Sequence, residues 1–112
     1  MGYYTDYTLA LHDADEKQRE LIAERLKKDF YMDGWGDEWY CNAKWYGHDE
    51  DMARLSIEFP TVLFELHGIG EDSEDMWNTY YKAGYIQHCP AEIIYPPYNA
   101  SKMKAYKFKE SI

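Results

Sequence analysis

The chain has 112 residues, which is the size of one domain and enough to bury a core without a metal ion or a disulfide bond. Its 12 lysines and arginines face 21 aspartates and glutamates, which gives a formal net charge of −9. Because so acidic a surface repels phosphates and anionic lipids, we expect no direct nucleic-acid binding and no membrane binding. A basic protein is the favoured partner.

Two further patterns bear on location and redox state. The first residues lack the basic and apolar regions of a secretory leader, and no apolar run approaches the length of a membrane span. We therefore expect a cytoplasmic protein. Cys41 and Cys89 are expected to be reduced thiols, because disulfide bonds are rare in the cytosol.

The charge is divided between an acidic body and a basic C-terminal arm. Residues 101–112 hold four lysines and one glutamate, so they carry +3 and residues 1–100 carry −12. The C-terminal residues also lack an apolar face at helical or strand spacing. We predict a single domain over residues 1–98, followed by a basic arm over residues 99–112.

The first thirty residues predict a strand and then a helix. Residues 3–12 alternate between two faces, which is typical of a half-buried strand. Asp13 followed by Glu16 resembles a capping box, and apolar residues continue at helical spacing to about Lys28. This helix is predicted to lie on a surface, because its other face is charged.

A loop and a second strand follow. The two glycines around Trp35 indicate a loop over residues 32–37. Residues 38–46 then alternate and predict a strand, whose core face would hold Trp39, Cys41, Ala43 and Trp45.

A helix that leads directly into a strand is the clearest pattern in the chain. From Asp49 to Phe59 the apolar residues recur at helical spacing, and Asp49 is predicted as the N-cap of a helix with an acidic first turn. Pro60 ends the helix. The alternating run after it predicts a strand whose buried face holds Val62, Phe64 and Leu66.

The last strands are predicted around a hairpin. Residues 68–75 indicate an acidic, glycine-containing loop, and residues 76–83 and 85–95 indicate two strands joined at Gly84, the second interrupted at Pro90. The whole order is βαβαβββ. It predicts an α+β fold of the ferredoxin-like sandwich kind, with a mostly antiparallel five-stranded sheet and two helices on one face.

The residues from 44 to 94 resemble a recurring pattern in small phage and prophage proteins. Lys44-Trp45-Tyr46, Leu55-Ser56, Phe59-Pro60, Phe64, the Gly68–Gly70 loop, Trp77 and Gly84 are similar to the YubB-type ferredoxin-like domain of plasmids and phages. Trp45-Tyr46-Gly47 stands where that family has Trp-Ser-Pro. The resemblance implies the fold and an origin in a mobile element, and it carries over no catalytic residue.

Several polar residues are candidate ligands for a metal ion or a phosphate. His12-Asp13 and His48-Asp49 each precede a predicted helix and are suitable ligand types, but each aspartate is explained as an N-cap. Gly68-Ile69-Gly70 resembles a fragment of a phosphate loop, yet the carboxylates after it would repel phosphate. We predict no metal and no cofactor.

Two other histidines are candidate catalytic residues. His67, and His88 beside Cys89, are candidates for a general base and a nucleophile. No triad, nucleophile elbow or oxyanion loop accompanies them. We predict that the protein is not an enzyme and has no catalytic residues.

Carboxylates and surplus aromatic residues are the strongest functional signal. Twelve tyrosines and four tryptophans exceed the needs of a small core, so some must lie on the surface, where such rings favour protein binding. We predict an acidic, aromatic nucleic-acid mimic that inhibits a basic, nucleic-acid-processing defence enzyme of the host, as an anti-CRISPR protein does. The predicted partner-binding residues are Asp33, Trp35, Asp37, Glu38, Tyr40, Tyr46, Asp49, Glu50, Asp51, Glu71, Asp72, Glu74 and Asp75.

Two alternatives stay open at this point. The open sheet face could stack a nucleotide signal on tyrosine or tryptophan and act as a sponge for it, or the chain could be a small hydrolase using His67 or His88. The oligomeric state is also open, with a dimer as one alternative.

Overall fold

The computed structural model describes residues 2–72 and 74–109. Within these ranges the chain forms two α-helices and one sheet of six strands. The helices are α1 (Glu16–Asp29) and α2 (His48–Glu58), and the strands are β1 (Thr5–His12), β2 (Asp33–Trp35), β3 (Glu38–Ala43), β4 (Leu63–Gly70), β5 (Met76–Lys82) and β6 (Tyr85–Pro90).

The sheet confirms the α+β class but corrects the strand count. Its order is β2-β3-β1-β4-β5-β6, and all neighbouring strands are antiparallel. The prediction of five strands is wrong, because β2 forms inside residues 32–37, for which a loop is predicted. The element order is therefore βαββαβββ.

Glycine allows β2 to form. Gly34 lies opposite Trp39 in the β2–β3 ladder with φ of 154°, where a Cβ would overlap with the backbone of Glu38 and Trp39. Gly36 adopts φ of 64° in the turn that joins the two strands. The two glycines that indicate a loop are thus the residues that let a short strand pair closely with β3.

Both helices cover the same face of the sheet, where one buried cluster forms. The faces predicted for the strands are confirmed, since the inward residues of β1, β3 and β4 are buried and those between them are exposed or half-buried. Burying this apolar surface is the main favourable term in the folding of the domain. The largest members of the cluster include Leu9, Trp39, Phe64, Leu66 and Tyr81 from the sheet and Ile22, Leu26, Met52 and Leu55 from the helices.

Each helix begins differently from its prediction. The N-cap of α1 is Asp15, which forms a capping box with Gln18, whereas Asp13 lies before it with φ of 64°. The N-cap of α2 is Gly47, which has no side-chain cap, so Asp49 lies inside the first turn. Its carboxylate still suits the positive helix end. Neither helix in the described ranges is long and apolar enough to cross a membrane.

Three strands end at residues other than those predicted. β3 ends at Ala43, which pairs with the first residue of β1, so the segment before α2 lies outside the sheet. β4 continues to Gly70, inside the predicted loop, because Gly70 pairs with the same residue, Thr5. β6 ends at Pro90, whose nitrogen has no proton to donate to the ladder.

The segment after β6 extends away from the body. All described residues from 91 to 109 are exposed, and the chain measures 65 × 31 × 28 Å along its principal axes. Pro96 and Pro97 favour an extended backbone in this segment. Its exposed apolar side chains include Ile94, Tyr95, Tyr98, Tyr106 and Phe108.

Candidate protein-binding surface

The sheet face opposite the helices, called the open face below, holds its polar side chains in fixed positions. Asp6 accepts a hydrogen bond from the Tyr40 hydroxyl at 3.0 Å and another from the Asn42 amide at 2.7 Å. Both donors lie on β3, which is the neighbour of β1. The carboxylate therefore fixes the Tyr40 side chain against the sheet.

Glu65 is the second anchored carboxylate of the open face. It accepts a hydrogen bond from the Asn78 amide at 2.7 Å and lies 2.7 Å from the His12 ring. The hydrogen bond from Asn78, followed by that from His12, lowers the pKa of Glu65 below its usual value. The open face therefore keeps a negative charge to mildly acidic pH.

The hairpin of β2 and β3 brings five of the predicted binding residues together. In its ladder Asp33 is opposite Tyr40 and Trp35 is opposite Glu38, so these four side chains lie on the open face. They line an open groove of about 760 Å³. The Trp35 side chain is 86% exposed and that of Tyr40 is 49% exposed. The five residues, called the hairpin surface below, are Asp33, Trp35, Asp37, Glu38 and Tyr40.

Two hydrogen bonds attach the turn of this hairpin to the body, and a third lies within the hairpin. The Arg19 guanidinium donates to the Asp37 carboxylate at 2.9 Å, and the Leu11 N–H donates to the Asp37 carbonyl at 2.8 Å. The Trp39 ring N–H donates to the Gly36 carbonyl at 3.1 Å. Trp35 is thus an exposed ring on an anchored turn, which reduces the entropy that it would lose on binding a partner.

The other eight predicted residues lie at the opposite end of the sheet. Thr5 pairs with Ala43 and Gly70 at that end, whereas Ala10 pairs with Glu38 at the hairpin end, about 17 Å further along β1. The predicted residues therefore form two groups and not one continuous surface. The second group, called the acidic end below, comprises Tyr46, Asp49, Glu50, Asp51, Glu71, Asp72, Glu74 and Asp75.

Carboxylates of the acidic end hold aromatic residues and the N-terminal segment in place. Burial, together with the hydrogen bond to Asp49, raises the pKa of the Tyr81 hydroxyl, which therefore remains a donor. Carboxylates that accept such bonds are less available to a partner, as is also true of Asp37 in the hairpin surface, which accepts from Arg19. The donors are the Tyr81 hydroxyl to Asp49, the Trp45 ring N–H to Asp51 (2.7 Å), the Tyr4 N–H to Glu71 and the Tyr3 hydroxyl to Asp75 (2.7 Å).

A cavity of about 190 Å³ opens between the acidic end and the start of α2. The His48 ring stacks on Trp77, with ring centroids 4.8 Å apart and planes at 15°. Tyr7 meets Trp45 edge to face at 5.2 Å. The residues that line this aromatic cavity are Tyr3, Thr5, Tyr7, Trp45, Tyr46, His48, Asp75 and Trp77.

Two glycines of β4 make room for this arrangement. A Cβ at Gly68 would overlap with the Trp77 ring, and a Cβ at Gly70 would overlap with the Asp75 carboxylate and the Tyr3 hydroxyl. The spacing of two residues puts both glycines on one face of the strand. This spacing is the sequence signal for the cavity, which the interpretation as a phosphate-loop fragment missed.

The residues weighed for metal binding do not converge. His12 lies at the end of β1 beside Glu65, whereas His48 stacks on Trp77 at the other end of the sheet. The Nδ1 atom of His48 is 3.1 Å from Asp49 Oδ1 but is buried without a hydrogen bond. The two atoms are close, but they lack the alignment that a hydrogen bond needs.

The candidate catalytic residues do not form one cluster. His67 and Cys89 lie on the open face, two strands apart with Asn78 between them. His88 lies 2.8 Å from the Thr79 hydroxyl, and the adjacent Cys89 points to the other face of β6, opposite Asn78. Burial raises the pKa of the Cys41 thiol to about 11, so that thiol remains protonated and unreactive at neutral pH. Both cysteines are free thiols.

Comparison of the chain with protein-family models, with curated proteins and with solved structures finds no significant match. The resemblance to the YubB-type domain therefore stays a prediction.

Proposed function

We propose that this chain is a non-enzymatic binding protein that uses its hairpin surface to occupy a basic site on another protein. The observation that carries the proposal is Trp35, which is 86% exposed beside carboxylates on an anchored hairpin. Tryptophan is among the residues that contribute most to protein–protein binding, and a fixed ring loses little entropy when it is buried.

Charge gives the proposed partner its class. The part of the chain before residue 101 carries −12, and a field of this sign attracts basic surfaces over a distance of about 8 Å at physiological salt. Basic grooves evolved for nucleic acid accept phosphates and stacked bases. Carboxylates of Asp33 and Glu38 beside the rings of Trp35 and Tyr40 offer both kinds of group, so we place the partner among nucleic-acid-processing enzymes.

The predicted resemblance and the topology of the sheet indicate the biological setting. Residues 44–94 resemble phage and prophage proteins, and such proteins benefit from blocking a host defence nuclease. The first six elements follow a βαββαβ order with strand order β4-β1-β3-β2, which supports the ferredoxin-like assignment. We therefore propose an anti-CRISPR-like inhibitor encoded by a mobile element and acting in the host cytoplasm.

The test is a pull-down from host lysate at low salt, with three forms of the chain as bait. The wild type is expected to recover a nucleic-acid-handling protein. Trp35→Ser should lose that protein, because it removes the central ring without touching the core. Tyr85→Ser is the matched control. The Tyr85 side chain is 81% exposed, close to the value for Trp35, but it lies on β6 at the other edge of the sheet.

Two results would contradict the proposal. One is that the wild type recovers no nucleic-acid-handling protein at low salt. The other is that Trp35→Ser and Tyr85→Ser recover such a protein equally well, which would move the binding site away from the hairpin.

A nucleotide sponge is the second candidate, and the aromatic cavity is the observation that favours it. Its rings could stack a base, but Asp75 lines the cavity and Glu71 and Asp72 follow β4 beside it. These carboxylates would repel the phosphates of a nucleotide signal. The hydrolase alternative has less support, because His88 and Cys89 point to opposite faces of β6 and His67 lies two strands away from Cys89.

A further inference from the structure

The aromatic cavity has the chemistry of a site for an organic cation. Five of its eight lining residues are tyrosine or tryptophan, and Asp75 is the carboxylate among them. The faces of such rings attract ammonium and guanidinium groups, and they do so best when a carboxylate adds its charge. Among the described residues, no lysine or arginine lines the cavity to compete for those groups.

Packing against β4 fixes the walls of the cavity. Gly68 and Gly70 let the Trp77 ring and the Tyr3–Asp75 pair lie directly against the strand, where a Cβ would overlap with them. Among the described residues, the buried Nδ1 atom of His48 has no well-aligned hydrogen-bond partner, although Asp49 Oδ1 lies 3.1 Å away. A buried polar atom that has no partner in the chain is the kind of group that a ligand or its bound water satisfies.

The basic arm supplies cations of the required kind. Lys102, Lys104, Lys107 and Lys109 alternate with Met103, Tyr106 and Phe108. Every described residue of the arm is exposed, and its hydrogen bonds within the described range stay inside the arm. The arm therefore carries lysines and apolar side chains that its own body leaves in water.

Length and charge favour a second copy as the source of the cation. The 19 residues from 91 to 109 span about 60 Å when extended, which exceeds the 31 Å width of the chain across its long axis. An arm of +3 is drawn to a body of −12. Tyr46 and Asp75 of the acidic end line the cavity. An arm that leaves its own body extended can reach the body of a neighbour.

We propose that the aromatic cavity binds an alkylammonium group, and that this group is a lysine of the basic arm of a second copy of the chain. Two copies then exchange arms in a symmetric dimer. This inference is independent of the hairpin surface, which lies at the other end of the sheet.

Sedimentation velocity across a concentration series tests the proposal. The wild type is expected to show a monomer–dimer equilibrium that weakens with added salt. Asp75→Asn keeps the acceptor for the Tyr3 hydroxyl but removes the charge, and it should weaken the dimer about tenfold. Glu20→Gln is the matched control, because it removes one negative charge from the exposed face of α1.

The arm is tested in the same way. Lys104→Gln combined with Lys107→Gln should weaken the dimer at least as much as Asp75→Asn does. Lys17→Gln combined with Lys28→Gln removes the same charge from α1 and should leave the dimer unchanged. These exposed positions are outside the core, so each variant is expected to fold.

A second titration distinguishes a free organic cation from a lysine of a second copy. The full-length chain with Lys104→Gln and Lys107→Gln is titrated with tetramethylammonium chloride, and sodium chloride at equal ionic strength is the control. Tetramethylammonium should change the tryptophan fluorescence, and adding Asp75→Asn should abolish that change. A wild type that is monomeric throughout, yet shows this change, would overturn the second copy as the source. The cavity would be excluded as the cation site by either of two results: no change in tryptophan fluorescence with tetramethylammonium, or a dimer dissociation constant that Asp75→Asn leaves unchanged.

Discussion

Trp77 is the residue on which the acidic end is built. Its ring lies across Gly68 of β4 and stacks on His48 at the start of α2, so one side chain joins two strands and a helix. Tyr7 of β1 adds an edge contact with ring centroids 6.0 Å apart. Each of these contacts depends on the space that a missing Cβ leaves at Gly68.

Gly68→Ala is therefore expected to destabilise the protein. The added Cβ overlaps with the Trp77 ring, and overpacking of this kind costs about 1–3 kcal/mol of unfolding free energy. Urea denaturation measures the loss. Trp77→Leu removes the ring that the new Cβ would meet, so Gly68→Ala should lower the unfolding free energy less in that background than in the wild type. Equal losses in the two backgrounds would contradict the assigned overlap.

Glu65 gives a second prediction at the scale of one residue. Hydrogen bonds from Asn78 and His12 lower its pKa below 4.5, so its ionised form stabilises the folded state above that pH. This stability should be lost as the pH falls through the folded-state pKa.

The comparison of wild type with Glu65→Gln isolates the effect. Urea denaturation should show the wild type as the more stable form at pH 7, with the difference shrinking below about pH 4.5. Glu20→Gln on the exposed face of α1 is the control. A difference that grows as the pH falls would contradict the assigned shift.

At the scale of elements, the cap of α1 shows what a sequence leaves open. Asp13 with Glu16 and Asp15 with Gln18 both fit the capping-box spacing. The structure selects Asp15, while Asp13 takes a positive φ that ends β1. The choice depends on how strand and helix meet in three dimensions, which local spacing does not encode.

Substitutions at the two aspartates test this assignment. Asp15→Ala should lower the unfolding free energy by about 1 kcal/mol, because it removes the acceptor for the Gln18 N–H. Asp13→Gly should change it by less than about 0.5 kcal/mol, because glycine tolerates the positive φ. Thermal denaturation distinguishes them, and a larger loss for Asp13→Gly would contradict the assignment.

Alternating patterns predicted the buried faces of the longer strands, but they could not predict β2. That strand has three residues, too few to show a period, and its central residue is a glycine without a side chain to bury. Residue types predict which side chains the hairpin surface exposes, because Trp35 between two glycines has Asp33, Asp37 and Glu38 close to it in the sequence. The aromatic cavity was missed, because its walls come from segments that meet only in the folded sheet.

At the scale of the whole molecule, the extended arm sets the dimensions. The radius of gyration is 19.6 Å, whereas a compact chain of this length has about 13 Å. Small-angle X-ray scattering of the monomer at high salt should therefore give a value near 19.6 Å. A value near the compact one would show that the arm folds back on its own body.

Charge separation and the exposed hairpin together lead to the central claim, that the chain occupies a nucleic-acid site on a basic protein. The most direct measurement uses the protein that the wild-type chain recovers from host lysate. In it, this chain competes with labelled nucleic acid for binding to that protein. The account predicts that the wild type displaces the nucleic acid and that Trp35→Ser does so only at much higher concentration. Simultaneous binding of the chain and the nucleic acid to that protein would contradict it.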